Sequence, residues 1–575
     1  MSKKAGDALM DILVEEGVEY IFGMPGDSIN SLIESLRNHP KIKFIQVRHE
    51  EAGALAAAAY AKLTGKLGVC MAIAGPGAIH LLNGLYDAKM DSAPVLAITG
   101  QVESDMIGTN FFQEVDLDRL FDDVAIYNER AMSAEQLPVI TNQAIRMAQT
   151  HRRVAHISIP DDIPRFEVER HARMNSTLFT PSKPTPRESD VDKAVSLLSE
   201  PRKTIILAGQ GARDAREELL TFAQKLKAPI VVTLPGKGVV PDDHPYCLGG
   251  LGLLGTKPAF YAMREAETLV MIGTSFPFID FLPREARTIH IDANPAQIGK
   301  RTPVDVGVAG DAAHTLQMMN KRLSEKQDDH YLTKYQREMK NWLTLMKEQG
   351  EEEGTPLRPQ TVPVCLQDVL DNNAIISCDV GNVTVWMARN FILRDQKFIV
   401  SSWLATLGCG LPGAIAGQLA YPDRQVVAVV GDGGFAMMMS DFVTAVKYDL
   451  PIVVIVLNND KIAMIKFEQE SMGNAEFGTN LTNPNFARYA EDCGGVGIRV
   501  ENRDELKDAL DRAFQVKKPV IVDVLVDPNE APLPARITLA QAKNYAIHLV
   551  KEWLAERRKS DEETEDSGKQ EPVQS

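Results

Sequence analysis

One stretch near the C-terminal end of the chain, Gln425 to Asn459, constrains the fold more than any other. It contains a buried strand (QVVAVV), a glycine turn from Gly431 to Gly434, a segment of helix length and a second apolar strand, Ile452 to Leu457. Elements in this order form a βαβ unit, whose right-handed crossover makes the two strands parallel. Asp432 and Asn459 are therefore predicted to meet at the carboxyl ends of neighbouring strands, where open α/β sheets bind ligands.

The same alternation of β-branched runs and helical patterns recurs along the whole chain. It predicts the α/β class, with three doubly wound domains whose sheets are mainly parallel. Two stretches without apolar periodicity, the proline-rich Pro181 to Arg187 and the Pro-, Gly- and Glu-rich Lys347 to Pro359, are expected to be linkers. We therefore expect domains at 1–180, 188–345 and 356–535, followed at 536–575 by an amphipathic helix and a disordered acidic tail.

Composition excludes several classes of function. The net charge of −16 argues against a nucleic-acid partner, because such binding requires clustered Lys and Arg. The six cysteines are scattered without zinc spacing, and we expect reduced thiols. The N-terminus lacks the apolar run of a signal peptide, and no uninterrupted apolar stretch reaches the roughly 20 residues of a membrane span. We expect a cytoplasmic protein.

The glycine turn and the asparagine end supply ligands that suit Mg²⁺. This ion prefers oxygen ligands and commonly takes one or two from side chains and the rest from phosphates and water. Asp432, Asn459 and a backbone carbonyl near Lys461 are the predicted metal ligands. Gly433 and Gly434 leave the backbone N–H groups of a helix start open to a phosphate. The bland alternative is a plain strand-to-helix turn and a loop end.

The pair of motifs, GDG followed 26 residues later by NN, resembles the fingerprint of thiamine-diphosphate-dependent enzymes. The resemblance implies thiamine diphosphate and Mg²⁺ as cofactors. It also implies further cofactor contacts at Gly26, Asn83, Gly381, Asn382, Val383, Ala405, Thr406, Leu407, Ile462 and Ile465.

A second motif lies in the first domain, where the strand Ile42 to Val47 ends at Arg48-His49-Glu50 and a helix, Ala52 to Thr64, follows. The RHE segment resembles the family's glutamate motif, so Glu50 is the predicted activator beside the aminopyrimidine ring. Glu51 is expected to cap the helix. The alternative is that Glu50 is a solvated carboxylate at a helix start. In the family the two motifs of one site come from different subunits, so the resemblance implies a homodimer at least, with a homotetramer expected.

The middle domain resembles the FAD domain of bacterial pyruvate oxidases through glycine-bearing strand ends. The implied FAD contacts are Gly211, Arg213, Gly252, Leu253, Leu254, Gly255, Gly273, Thr274, Ser275, Phe276, Pro277, Asp292 and Asp311. Asp292, at a strand end, is expected to hold a ribose hydroxyl. An inherited domain that has lost its nucleotide remains the alternative.

Resemblance to these oxidases covers nearly the whole chain and implies oxidative decarboxylation of pyruvate through a thiamine enamine, with electron transfer to FAD. Phe112 and Gln113 are the implied substrate contacts, and Glu468 is expected over the reaction centre. The sequence departs from the family at Met464, where an aromatic is usual. That departure keeps an acetolactate-synthase-like carboligase open, and a non-catalytic cofactor-binding scaffold is a third hypothesis.

The acceptor is left open by the sequence. With O₂ and phosphate the product is acetyl phosphate, and with a membrane quinone it is acetate. The predicted helix Leu539 to Arg558 has an apolar face flanked by basic residues that could contact a membrane peripherally. The alternative is that this helix packs on its own subunit.

Overall fold

The structure is a computed structural model that describes residues 3–168 and 183–532. The predicted C-terminal helix and acidic tail lie outside the described residues, as do the first two residues of the first predicted linker. Within the described ranges, no helix is long and apolar enough to cross a membrane.

The first domain contains a six-stranded parallel sheet in the order β3-β2-β4-β5-β7-β6. The outlying strands β1 and β8 pair antiparallel with each other. The elements are β1 (Lys3–Lys4), α1 (Ala5–Glu15), β2 (Tyr20–Gly23), α2 (Asn30–Arg37), β3 (Lys43–Gln46), α3 (Glu50–Thr64), β4 (Gly68–Ala72), α4 (Pro76–His80), α5 (Leu82–Met90), β5 (Val95–Gln101), α6 (Leu117–Leu120), β6 (Ala125–Arg130), α7 (Leu137–His151), β7 (Val154–Pro160) and β8 (Glu167–Val168).

The middle domain contains a second parallel sheet, in the order β11-β10-β9-β12-β13-β14. Its elements are α8 (Glu188–Leu198), β9 (Thr204–Ala208), α9 (Arg216–Leu226), β10 (Ile230–Val232), β11 (Cys247–Gly250), α10 (Lys257–Glu265), β12 (Thr268–Ile272), β13 (Arg287–Asp292), β14 (Val306–Ala309), α11 (Ala312–Arg322) and α12 (His330–Glu351). The last helix continues through the first residues of the second predicted linker.

The third domain contains the sheet β16-β15-β17-β18-β20-β19, again parallel throughout. Its elements are α13 (Thr361–Val369), β15 (Ile375–Cys378), α14 (Asn382–Asn390), β16 (Lys397–Ile399), α15 (Gly410–Ala420), β17 (Val426–Gly431), α16 (Asp432–Met438), α17 (Phe442–Lys447), β18 (Val453–Asn458), α18 (Ala463–Ser471), α19 (Phe486–Asp492), β19 (Val496–Val500), α20 (Arg503–Gln515) and β20 (Val520–Leu525). The helix expected after the glycine turn is split by a 3₁₀ turn, Met439–Asp441.

These sheets confirm the predicted fold class of three α/β domains with mainly parallel strands. Their central strands are apolar without alternation, as in β17 and β18, because helices cover both faces of each sheet. Each sheet has a switch point where consecutive connections leave in opposite directions: between β2 and β4, between β9 and β12, and between β15 and β17. Crevices at such switch points are where doubly wound folds bind ligands.

The first and third domains share one hydrophobic core. The alanine-rich helix α3 packs against α15, and the side chains of Ala58, Leu411 and Ile415 belong to a single buried cluster. Small side chains on α3 let the two helices approach closely, which joins the two domains within one chain.

Candidate functional site

Asp432 lies at the switch point of the third sheet, as the first residue of α16. Its side chain is 2% exposed, and its Oδ1 accepts a hydrogen bond from the Gly433 N–H over 2.9 Å. Burial raises the pKa of Asp432 to about 6. A divalent cation would offset that desolvation by stabilising the anion, so the environment suits a metal ligand.

Asn459 follows β18 directly and meets Asp432, as the sequence predicts. The Asn459 N–H donates to Asp432 Oδ2 over 3.3 Å, and Asn459 Oδ1 accepts from the Lys461 N–H over 3.1 Å. The ammonium group of Lys461 points elsewhere, to Glu476 at 2.6 Å. The Asp432 carboxylate therefore lies against the Asn459 backbone, and hydrogen bonds link all three residues of the predicted metal site.

Sequence reasoning missed Asn483, which donates from Nδ2 to Asp432 Oδ2 over 2.8 Å and to Asp460 Oδ1 over 2.9 Å. Asn483 lies in an irregular segment, and no spacing or periodicity pointed to it. Its amide orients the Asp432 carboxylate.

The predicted diphosphate contacts surround open backbone at the same switch point. A Cβ placed on Gly381 or on Gly431 would meet no atom of the described residues within 4 Å, and Gly381 has a φ of +112° that favours glycine. The neighbouring Asn382 begins α14, and its Oδ1 is buried without a hydrogen-bond partner among the described residues. An unpaired buried polar atom next to open space fits a polar ligand, whereas Val383 is buried in the domain core.

Asp379 is a second buried carboxylate at this switch point, one residue beyond β15. It is fully buried and accepts hydrogen bonds from the N–H groups of Val380 at 2.7 Å and Gly408 at 2.9 Å. Burial raises the pKa of Asp379 to about 6. The side chain thus ties the Gly381 segment to the loop that carries Leu407. Sequence analysis overlooked Asp379, although an acid at a strand end was the signal that identified Asp432.

The loop before α15 carries the predicted contacts Ala405, Thr406 and Leu407. Ala405 adopts a φ of +57°, which strains a residue other than glycine. Asn83 of α5 donates to Thr406 Oγ1 over 2.8 Å and to Glu51 Oε1 over 2.6 Å. Two of the predicted contacts, Asn83 and Thr406, are therefore in direct contact across the boundary between the first and third domains.

Glu50 is the first residue of α3 and is 8% exposed. Its Oε2 lies 2.9 Å from His80 Nδ1, and the His49 ring stacks on the His80 ring with a centroid distance of 4.5 Å. A Cβ on Gly77 would lie only 3.1 Å from Glu50 Oε1, so glycine leaves room at the carboxylate. Glu50 is therefore not the solvated carboxylate of the alternative interpretation.

The prediction that Glu51 caps helix α3 is wrong. His49 is the N-cap residue, with extended backbone, and its Nδ1 accepts from the Glu51 N–H over 3.3 Å. Glu51 already lies within the first helical turn, so its side chain is not placed as an N-cap.

One of the predicted substrate residues of the first domain, Gln113, packs on the turn after β4, whose Gly77 also borders Glu50. Gly75 precedes Gly77 in the turn after β4, and a Cβ on Gly75 would be 2.9 Å from the Gln113 carbonyl oxygen. Gln113 has a φ of +63°, and the Phe112 side chain is 73% exposed. Gly26, after β2, packs on Ile73 of the same turn.

The other predicted substrate residues lie on α18. Met464 is half-buried and Glu468 is exposed one turn later, so both lie on one side of this helix. Ile462 and Ile465, at the start of α18, are exposed.

In the middle domain, the predicted dinucleotide segments meet at the switch point between β9 and β12. A Cβ on Gly211 would lie 2.8 Å from the Gly273 Cα, and the Gly211 N–H donates to the Gly273 carbonyl over 3.1 Å. The segment from Thr274 to Pro277 continues from there, with Phe276 buried. The ring of Phe276 also packs near Gly252, which has a φ of +106°. Of the Gly252–Gly255 turn, Leu253 is exposed and Leu254 half-buried.

Three charged side chains complete this face of the middle domain. Asp292 ends β13, its Oδ1 accepts from the Asn294 N–H over 2.8 Å, and burial raises its pKa. Arg213 donates to the Pro235 carbonyl over 2.9 Å. Asp311 caps α11 by accepting from the His314 N–H over 3.1 Å, so its carboxylate already has a structural role.

Glu50 and the proposed metal site are not in direct contact within one chain. Among the described residues, no hydrogen bond or ion pair joins Glu50 to the group around Asp432 and Asn459.

Comparison with known proteins assigns each domain. Models of the thiamine pyrophosphate enzymes match residues 3–120 (N-terminal TPP binding domain), 191–319 (central domain) and 379–524 (C-terminal TPP binding domain). The chain is 49% identical to YdaP of Bacillus subtilis, whose name proposes only that it contains thiamine pyrophosphate, over 96% of both chains. It is 36% identical to the pyruvate oxidase of Lactiplantibacillus plantarum, over 95% of this chain and 92% of that one. It is 32% identical to the acetolactate synthase large subunit of Haemophilus influenzae, over 93% and 97%.

Proposed function

This chain belongs to the thiamine pyrophosphate enzyme family, and we propose that it catalyses the oxidative decarboxylation of pyruvate with thiamine diphosphate, Mg²⁺ and FAD. The observation that carries the proposal is the packing of Gln113 on the Gly75 turn beside Glu50, with Phe112 exposed next to it. This arrangement supplies a carboxylate, an amide and an apolar wall for a small 2-oxo acid.

The donor set of the third domain fits a Mg-diphosphate. Asp432 and Asn459 would supply side-chain oxygens, and the open backbone at Gly381 and Gly431 leaves room for phosphate oxygens. Asn382, whose Oδ1 has no hydrogen-bond partner among the described residues, lies beside this space. The thiazolium of the cofactor, when bound, supplies the nucleophile and the electron sink for loss of CO₂.

The side chains of this protein orient and protect the reactants. The buried Glu50 carboxylate, which lies 2.9 Å from His80 Nδ1, would exchange a proton with the aminopyrimidine of the cofactor. Phe112 would exclude water from the reacting carbons, and Gln113 would donate to the pyruvate carboxylate or carbonyl.

FAD fits the crevice between β9 and β12. The close approach of Gly211 and Gly273 brings two backbone turns to one edge, and Asp292 offers a carboxylate at the end of β13 for a ribose hydroxyl. We propose that Arg213, the Gly252–Gly255 turn and the Thr274–Pro277 segment line this crevice.

The reaction balances with either of two electron acceptors, O₂ or a quinone. Pyruvate, phosphate and O₂ would give acetyl phosphate, CO₂ and H₂O₂, whereas pyruvate, water and a quinone would give acetate, CO₂ and quinol. A liposome co-sedimentation assay, with and without pyruvate, separates the two routes by comparing the full chain with a chain ending near Pro534. Binding only with pyruvate and only by the full chain supports the quinone, and absence of binding in every state supports O₂.

We propose a homodimer as the smallest active unit and a homotetramer as the assembly. Several large apolar side chains in or near the site segments are exposed in the single chain, including Phe112, Met472 and Phe477. We propose that these side chains are covered by the partner subunit, because a contiguous exposed apolar patch marks an interface. Sedimentation with activity measured over a dilution series tests this, since an active monomer would contradict it.

A second candidate is a carboligase of the acetolactate synthase type, which the non-aromatic Met464 favours. The deciding experiment mixes the purified protein anaerobically with pyruvate, thiamine diphosphate and Mg²⁺ and follows flavin absorbance and products. Flavin bleaching supports the oxidase, and acetolactate without bleaching supports the carboligase. If neither occurs although the cofactors bind, the chain is a non-catalytic scaffold.

A further inference from the structure

The strand that leads to Glu50 is held by the third domain of the same chain. β3 is the edge strand of the first sheet, and its outer backbone groups need partners. The Gln46 N–H donates to the Tyr448 hydroxyl over 2.7 Å, and that hydroxyl donates to the Phe44 carbonyl over 3.0 Å. A side chain just beyond α17 therefore takes the place of a neighbouring strand.

Asp441 continues this contact at the residues immediately before Glu50. Its Oδ1 accepts hydrogen bonds from the Arg48 N–H and from the Thr444 hydroxyl, each over 2.8 Å. Asp441 is fully buried, and its Oδ2 has no hydrogen bond of standard geometry among the described residues. Burial raises the pKa of Asp441, whereas the backbone groups of Arg48 and His49 and the Thr444 hydroxyl lower it. The carboxylate thus interacts with the two residues that immediately precede Glu50.

We infer that Asp441 is a positioning residue for Glu50: its carboxylate fixes the backbone that enters α3 and thereby the direction of the Glu50 side chain. Glu50 is the first helical residue, so its orientation depends on the extended conformation of His49, with φ −139° and ψ 134°. Arg48 precedes His49 directly, and holding its N–H limits rotation of the segment. A displacement of about 1 Å at a reacting group can cost roughly 100-fold in rate.

Asp441, which binds the Arg48 backbone, lies close in sequence to Asp432 of the proposed metal site. Asp432 begins α16, and the 3₁₀ turn that contains Asp441 follows that helix directly. One helical segment therefore carries the acid of the proposed metal site at its start and the acid that holds the Glu50 backbone further along. The inference rests on the proposed role of Glu50 as activator.

The test measures deuterium exchange of the C2 proton of thiamine diphosphate in the holoenzyme with Mg²⁺, by quenched-flow NMR. Asp441→Ala should slow this exchange about tenfold or more while the dissociation constant for the cofactor stays within about threefold. Asp441→Asn, which keeps the size and one acceptor oxygen, should slow it less, by about threefold. If the alanine variant does not fold, the exchange rate of Asp441→Asn tests the inference instead.

Tyr448→Phe is the matched control, because it removes hydrogen bonds to β3 at the same domain contact without touching Arg48. Its C2 exchange should stay within about twofold of wild type. Exchange at the wild-type rate in both Asp441 variants would overturn the inference. Equal slowing in Tyr448→Phe would also overturn it, since general domain packing would then explain the effect.

Failure of the proposed function gives a different pattern. If the C2 proton of thiamine diphosphate exchanges at the wild-type rate in Glu50→Gln, Glu50 is not the activator. Amide hydrogen exchange over residues 44–52 then tests separately whether Asp441 fixes the backbone at Arg48. Faster exchange in Asp441→Ala than in Tyr448→Phe supports a hold at Arg48, and equal protection in the wild type and Asp441→Ala overturns it.

Discussion

The N–H of Asn459 donates to Oδ2 of Asp432 over 3.3 Å, across the ends of two neighbouring parallel strands. The contact places the amide and the carboxylate of two distant motifs on one side of the third sheet. It is the geometry from which the proposed cation site follows.

Replacing Asp432 with alanine removes the anionic ligand of that site. We expect Asp432→Ala to weaken Mg²⁺-dependent retention of thiamine diphosphate by about 100-fold or more, because a hard cation depends on a charged oxygen. Isothermal titration of the cofactor with Mg²⁺ measures this, with Asp492→Ala, at an exposed acid of α19, as the control. Unchanged affinity in Asp432→Ala would refute the assignment.

Replacing Glu50 with glutamine keeps the shape of the side chain and removes its proton exchange. We expect Glu50→Gln to retain cofactor binding and to lose roughly 100-fold or more in turnover, since each 1.4 kcal/mol of lost transition-state stabilisation is about tenfold. Glu51→Gln is the neighbouring control, because Glu51 contacts Asn83 rather than His80. Fast C2 proton exchange in Glu50→Gln would show that another group activates the cofactor.

The close approach of Gly273 and Gly211 should matter for FAD. A Cβ on Gly273 would lie 2.5 Å from the Gly211 Cα, and Gly273 has a φ of +59°. We expect Gly273→Ala to lower flavin retention after gel filtration and to lower the thermal midpoint. Gly299→Ala has a comparable φ of +73° but its nearest atom is 4.0 Å away. Gly299→Ala should lower the free energy of unfolding by only roughly 1 kcal/mol, through backbone strain, and should keep the flavin. Equal flavin loss in both variants would contradict the proposal that FAD binds in this crevice.

His156 should make stability depend on pH. The ring is fully buried, lies 3.8 Å from the Phe121 ring and contacts Thr99 and Asn128 at 2.8 and 2.6 Å. Burial lowers the pKa of His156 to about 3 from its ordinary 6.5. The unfolded chain therefore binds a proton that the folded chain refuses, and stability falls as pH decreases from 6.5 towards 3.

The measurement compares urea unfolding at pH 7 and pH 5 in the wild type and in His156→Gln. The wild type should lose about 2 kcal/mol more than the variant between these pH values. Equal losses in the two proteins would show that His156 takes up its proton in the folded state.

The local sequence pattern predicted the fold and the meeting of Asp432 with Asn459. Runs such as QVVAVV identify buried strands, and glycine turns and asparagine ends mark where those strands stop. Because crossover handedness is nearly invariant, a βαβ unit places Asp432 and Asn459 at the same sheet edge without further information. Glu50 was identified differently, through the resemblance of the RHE segment to the family's glutamate motif.

Only the tertiary structure decided which side chains support these residues. Asn483 contacts Asp432 from an irregular segment, and Asp441 holds Arg48 across 393 positions of sequence. Neither contact leaves a periodic signal, because each arises when separately folded elements pack together. Local sequence determines the type and the end of an element through backbone preference and burial, whereas contacts between domains depend on the fit of whole surfaces, which no short stretch of the chain contains.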